Sequence, residues 1–141
     1  MGTVSKNFSY REFEKSETAE RLHITNVINS FLVRDNIKAL VEDILQPLRD
    51  AWGAPLIINS GYRCLKLNEA VGGVPTSQHV MGQAADVGCS DPLALARLVK
   101  ELGLDFDQMG VYPTFLHISY DKDGRNRGHV FYAKNYKGEK V

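Results

Sequence analysis

His79 and Asp86 lie seven positions apart in "SQHVMGQAADV" (residues 77–87), with Gly82, Ala84 and Ala85 among the residues between them. Neutral imidazole and ionised carboxylate are both good zinc ligands, and a catalytic zinc takes three protein ligands while keeping one position open for water. Two of the three are present here. The third must come from another element, and "FLHISY" (residues 115–120) offers His117. Side chains alternate along a strand, so Phe115, His117 and Ser119 share one face while Leu116 and Ile118 take the other. Gly82 and the alanines let backbone pass close beneath an ion. The plainer alternative for His79 and Asp86 alone is a loop histidine capped by a nearby carboxylate. A set of two histidines and one carboxylate also suits non-haem iron.

Ser9 reads as an N-cap, with Glu12 at capping-box distance and Phe8 as a staple, which predicts a short helix over residues 10–15. In "NIKALVEDILQPLRDAWG" (residues 36–53), Ile37, Leu40, Val41, Ile44, Leu45 and Leu48 recur at helical spacing. This predicts the main core helix, capped by Asp35, ended by Gly53 and kinked or loosened by Pro47. "PLIINSGYR" reads as a buried strand, "CLKLNEAVGG" as a short helix and "PTSQH" as a loop. "AADVGC" reads as a strand, followed by a helix over residues 92–102 with Asp91 as its cap and Pro92 at its first position. "FDQMGVY" and "FLHISY" read as strands joined at Pro113 and Thr114, "KDGR" as a turn and "HVFYA" as a last edge strand. Helices first and strands later predict an α+β fold with a small antiparallel sheet packed against helices.

The chain has 141 residues, and its 17 basic and 17 acidic side chains cancel. One domain over residues 1–141 is expected, and bulk charge gives no argument for nucleic acid or an anionic membrane as partner. No apolar run approaches the roughly 18 residues of a spanning helix. The first twenty residues lack the apolar middle of a secretory signal. Cys64 and Cys89 are too few for a disulfide framework and read as small, buried, free thiols of a reducing compartment. His23 and His129 read as exposed and unliganded.

The motifs together resemble a known family. "SQHVMGQAADV" matches the pattern S-x-H-x-x-G-x-A-x-D, "FLHIS" matches a second histidine motif, and "INSGYR" and "FDQ" precede them in the family's order. The chain resembles, from about Asn36 to about Tyr120, the zinc D-Ala-D-Ala carboxypeptidases and L-Ala-D-Glu endopeptidases of peptidoglycan. These share their metal site with hedgehog-type domains. The resemblance implies a hedgehog/D-Ala-D-Ala peptidase-like fold and Zn2+ held by His79, Asp86 and His117. It also implies Arg63 on the peptide carboxylate or developing oxyanion, Ser77 beside the substrate and Gln83 within the same motif. A guanidinium gives a planar fork for a carboxylate; the alternative for Arg63 is a structural salt bridge. The implied activity is hydrolysis of a D-amino-acid-containing bond in stem peptides by a monomer. The implied setting is cytoplasmic or phage-associated, with access to the wall after lysis or inside a virion. Lys122, Arg125 and Arg127 in "KDGRNRGH" read as a solvated turn, with grip on an anionic wall strand as the alternative.

One departure matters. The peptidases carry an acidic general base three residues before the second histidine, which is Thr114 here; hedgehog-type domains place an acid six before it, which is Val111 here. The acids nearest on this segment are Asp107 and Asp105, and Asp107 is the candidate base. Tyr112 and Tyr120 are poorer bases, with ordinary pKa values of about 10. A general acid or base is worth about 10²–10⁴-fold. A catalytically silent, zinc-containing wall-binding or assembly module is therefore the competing reading.

Overall fold

The computed structural model describes residues 2–141. A hairpin too short to leave a sequence signal opens the chain: β1 (Thr3–Ser5) pairs antiparallel with β2 (Phe8–Ser9). β2 runs directly into α1 (Tyr10–Glu14), where Ser9 Oγ accepts from the Glu12 amide and the Glu12 carboxylate accepts from the Ser9 amide. The capping box is formed as its spacing predicts. α2 (Glu17–Leu22) follows, capped by Ser16. α2 leaves no sequence signal because Ala19 is its one buried residue, too little for an apolar stripe.

The core helix begins earlier than its periodicity suggests. α3 (Phe31–Leu40) is capped by Ser30, whose hydroxyl accepts from the Val33 amide, and Asp35 lies inside the helix rather than at its start. Phe31 and Leu32 are exposed, so the apolar stripe begins a half-turn after the helix does. A π-helical turn over Val41–Leu45 then leads into α4 (Gln46–Trp52). Pro47 explains the widened turn. It has no N–H to donate and its ring crowds the carbonyl four residues back, on Asp43, and the Gln46 amide reaches back five residues to Val41. Gly53, at φ +74°, ends the helix in the left-handed conformation that glycine adopts without strain. Ile37, Leu40, Val41, Ile44, Leu45 and Leu48 are all fully buried.

The second half of the chain supplies β3 (Ile57–Ser60), α5 (Leu65–Ala70), β4 (Ala84–Gly88), α6 (Pro92–Glu101), β5 (Gln108–Val111), β6 (Phe115–Ser119) and β7 (His129–Tyr132). The five strands from β3 onward form one sheet in the order β3-β4-β6-β5-β7. Asp91 caps α6 through the Ala94 amide, with Pro92 at the first helical position. Ala85, Val87, Leu116 and Ile118 point into the core against the helices and are fully buried. The architecture is α+β, with one correction to the expected sheet. β3, β4, β6 and β5 are antiparallel neighbours, but β7 pairs parallel with β5, from Gln108 opposite His129 to Val111 opposite Tyr132. The reason is a skipped strand. The connection after β6 passes the start of β5 and places β7 on the far side, so a strand running opposite to β6 must run with β5.

The loop between α5 and β4 docks on the core helix through Gly82. Its φ is +74°, and a Cβ there would lie 2.8 Å from the Val33 carbonyl oxygen and 3.0 Å from Ile37 Cγ1. Gly82→Ala should therefore destabilise the fold, through backbone strain of about 1–3 kcal/mol and crowding of about the same size. Chemical denaturation checks this; an unchanged midpoint would mean that the loop does not rest on α3.

Candidate metal centre

β4 and β6 bring two of the three expected ligands together by register alone. Asp86 stands directly opposite His117, within an unbroken run of five pairs from Ala84–Ser119 to Gly88–Phe115. Directly opposite residues of an antiparallel pair project from the same face. His117 Nδ1 lies 2.8 Å from Asp86 Oδ1. Gly110 is the partner of His117 on the other side, in β5, and the Phe131 ring fills the space that a side chain at Gly110 would need. That ring sits 6.0 Å from the His117 ring.

His79 arrives from the loop. Ser77 Oγ accepts from the His79 amide at 3.2 Å, a serine turn that bends the chain. The Gln78 carbonyl accepts from the Gln83 amide at 2.9 Å and closes the loop, and the Gln83 carbonyl accepts from the Tyr120 amide. The buried His79 ring lies with Nδ1 2.7 Å from the Gly61 carbonyl oxygen. A carbonyl only accepts, so Nδ1 carries the hydrogen and Nε2 keeps its lone pair. Nε2 points into the site, 3.4 Å from Asp86 Oδ1. A hydrogen bond from the far ring nitrogen is the usual way to fix a metal-ligating imidazole.

Among the described residues, His79, Asp86 and His117 form the one group of three whose potential ligand atoms gather, all within 4.8 Å of one another. Four-coordinate zinc with bonds of about 2.0–2.2 Å holds its ligands roughly 3.3 Å apart. The 3.4 Å between His79 Nε2 and Asp86 Oδ1 fits that spacing, the 2.8 Å between His117 Nδ1 and Asp86 Oδ1 is a hydrogen bond that an ion would replace, and two imidazoles with one carboxylate fit zinc chemically. Burial alone would raise the Asp86 carboxyl pKa. Hydrogen bonds to His117 and His79, and the charges those rings carry when protonated, outweigh it and hold the group well below the usual carboxylate range.

Arg63 flanks the trio. Its Nη2 lies 3.8 Å from Asp86 Oδ2, Nε donates to Ser60 Oγ and Nη1 donates to Asn68 Oδ1. Burial lowers its pKa, and the negative charge of Asp86 works against that shift. Behind it, buried Asn26 donates to the carbonyls of Glu14 and Tyr62 and accepts from the Cys64 amide, which fixes the turn that carries Arg63. A groove of about 710 Å3 runs from Arg63 and Ser60 past Asn59 and Leu67 to Lys15 and Glu17. Tyr112 stacks on Phe115 at 4.3 Å. Burial raises the pKa of its phenol, and Asp86 raises it further.

Asp107 stands apart from these groups in its bonding. It is buried, and its Oδ1 accepts from the Arg127 amide at 3.0 Å and Nε at 2.8 Å. Its Oδ2 accepts from Arg127 Nη2 at 2.8 Å and Gln78 Nε2 at 2.9 Å. A carboxylate offers about four acceptor directions, and four donors occupy them. Thr114 is exposed and Val111 is buried in the core. Cys64 and Cys89 are free and half-buried rather than fully buried, while His23 and His129 are exposed. Asn68 and Phe131 carry no sequence signal as neighbours of the site, whereas Ser60 lies within "INSGYR", Gln78 stands beside His79 and Tyr112 is the weaker base candidate.

The family model for Peptidase M15 matches residues 6–119. The chain belongs to the peptidase M15 family. It is also 39% identical over 62 residues to the zinc D-Ala-D-Ala carboxypeptidase of Streptomyces albus G. That match covers 42% of this chain and 24% of the Streptomyces enzyme, so the chain spans about a quarter of that relative. Among the described residues no helix is long and apolar enough to cross a membrane.

The Arg127 pairing makes a direct prediction. The Arg127 guanidinium holds the Asp107 carboxyl down at about 2, against about 3.9 for an unperturbed aspartate. The unfolded chain therefore binds the proton first on acidification. The pair's contribution is fully present above about pH 4 and is lost as pH falls toward 2. The Asp107 carboxyl carbon should titrate near pH 2 by NMR, and a midpoint near 4 would rule out the pairing.

Proposed function

We propose that this M15 family member is a zinc metallopeptidase that cleaves a D-amino-acid-containing bond in peptidoglycan stem peptides. The observation that carries the reading is the convergence of His79 Nε2, Asp86 Oδ1 and His117 Nδ1 on one point. His79, Asp86 and His117 hold the ion in this reading. Zinc there would supply polarisation of the scissile carbonyl and a more acidic water. Arg63 receives the substrate carboxylate, since a guanidinium fork matches it bidentately and Ser60 and Asn68 orient that fork. The groove leading away from Arg63 accommodates the rest of the peptide. Ser77 and Gln83, in the His79 loop, contact the substrate in this reading. Residues 1–141 act as one domain and as a monomer, in a cytoplasmic or phage-associated setting, and neither nucleic acid nor membrane is a partner.

A second reading is favoured by a specific observation: the candidate base Asp107 has both oxygens occupied by donors. The four donors on Asp107 give it a positioning role rather than a catalytic one. Tyr112 is pushed up by burial, and Tyr120 is pushed up to about 12 by burial and by its bond to Asp43. Both phenols stay protonated at neutral pH, so neither is a ready base for zinc-bound water. The competing reading is a zinc-containing module that binds stem peptides without turnover.

Incubating the zinc-loaded protein with muropeptides separates the two. The first reading expects released D-Ala or cleaved stems, loss of product in His79→Ala and His117→Ala, and loss on chelation. Arg63→Ala should weaken peptide use by about 10–100-fold, the worth of one charge-assisted hydrogen-bonded contact. Retained zinc and peptide binding with no product would establish the silent module instead.

A further inference from the structure

We propose that Gln78, Asp107 and Arg127 form a clamp that positions the His79 loop, closed by a segment beyond the family match. The inference rests on the metal-binding reading of His79. Its ground is a chain of bonds that runs from the far side of the sheet to that loop.

Asp107 sits at the start of β5. Its amide donates to the Ser119 carbonyl at 2.8 Å and its carbonyl accepts from the His129 amide at 3.0 Å, so its backbone is fixed by β6 and β7. From that fixed point Oδ2 takes the Gln78 side-chain amide at 2.9 Å. Gln78 is bound at its other end too, because its carbonyl accepts from the Met81 and Gln83 amides. The residue that starts the turn carrying His79 is thus tied to the sheet by its side chain and to the loop by its backbone. Ser77 bends the same turn from the other side.

Arg127 is what allows a buried carboxylate to serve as the anchor. An isolated buried charge is costly, and removing one partner of a buried pair leaves the other uncompensated. The fork of Arg127 meets both Asp107 oxygens while its own side chain remains largely exposed. The M15 match ends at residue 119. Arg127 therefore comes from outside it, as does Phe131, whose ring covers Gly110 beside His117. The segment after β6 supports two elements that carry proposed ligands: the His79 loop through Arg127, and β6 through Phe131. Arg127 is a positioning residue, and the solvated-turn reading of "KDGRNRGH" does not hold for it.

The test uses the full chain as wild type, Gln78→Ala, Arg127→Ala and Arg127→Lys. Zinc affinity is measured by competition with a chromophoric chelator. Hydrogen exchange of amides 78–83 and thermal unfolding are followed without metal. Gln78→Ala leaves the Asp107–Arg127 pair intact, so it should unfold close to the wild-type temperature. Its zinc affinity should still fall by about 10-fold or more, the effect expected when a ligand's supporting contact is lost. Its loop amides should exchange faster. Arg127→Ala should weaken zinc at least as much, and Arg127→Lys should restore only part, because an ammonium cannot fork. Equal zinc affinity in all four proteins overturns the clamp. Wild type that binds no zinc overturns the metal reading instead, and unchanged exchange at 78–83 in Gln78→Ala then overturns the clamp separately.

Discussion

The register between β4 and β6 is the constraint on which the site depends. Asp86 and His117 are far apart in the chain and meet only because residue 86 pairs with residue 117. Side chains in a strand alternate with a period of two, so a slip of one residue would turn Asp86 into the core and bring Val87 or Ala85 to the site face. The apolar set on the opposite face prevents the slip. Ala85, Val87, Leu116 and Ile118 are buried without remainder against the helices, and a one-residue shift of β4 would expose Ala85 and Val87 while burying a carboxylate. Hydrophobic packing on one face thus fixes donor geometry on the other, with no bond between the two needed.

The third donor is held by different means. His79 lies on a loop, and a loop has no register to fix it. Its position is assembled from separate polar contacts: Ser77 to its amide, Gly61 to its ring, Arg63 to its carbonyl and Gln78 to Asp107. Gly82 adds the close seat on α3. These contacts reach the loop from the segment after β3, the residue before β5 and the core helix, so the loop is supported from several sides. The sheet and the loop therefore divide the task, with two donors placed by apolar burial and one by hydrogen bonds.

Much of this was legible in the sequence because the governing signals are local or periodic. The box at Ser9 and Glu12, the stop at Gly53, the cap at Asp91 and the alternation in "FLHIS" each involve residues within a turn or two of one another. Errors arose where the signal was masked or distant. Phe31 and Leu32 are apolar yet exposed, which hides Ser30 as the helix cap and makes Asp35 look like the start. β7 was expected to join an antiparallel sheet, since nothing in "HVFYA" reveals that its connection skips β5. Asp107 looked available because its partner lies twenty residues away on a turn that reads as solvated. Local chemistry identifies a donor, but only tertiary structure shows which acceptors are already used.

That last point bears on how the site could work. A carboxylate near a metal centre can serve as a base only while a lone pair is free to face the reacting atoms, and geometry comes before pKa in deciding this. Asp107 is ionised over a wide pH range, but the Arg127 contact that keeps it ionised lowers its basicity and also occupies its oxygens. The same bonds make it a good anchor and a poor proton acceptor. At the positions where the resemblance implies an acid, this chain has exposed Thr114 and buried Val111, and neither side chain ionises. Among the described residues His79, Asp86 and His117 form a firmly supported group that could hold a metal, and the bonds that fix Asp107 occupy its lone pairs. Firm placement of such a group favours metal retention, whereas hydrolysis also needs a proton acceptor, so the two properties can diverge in one site.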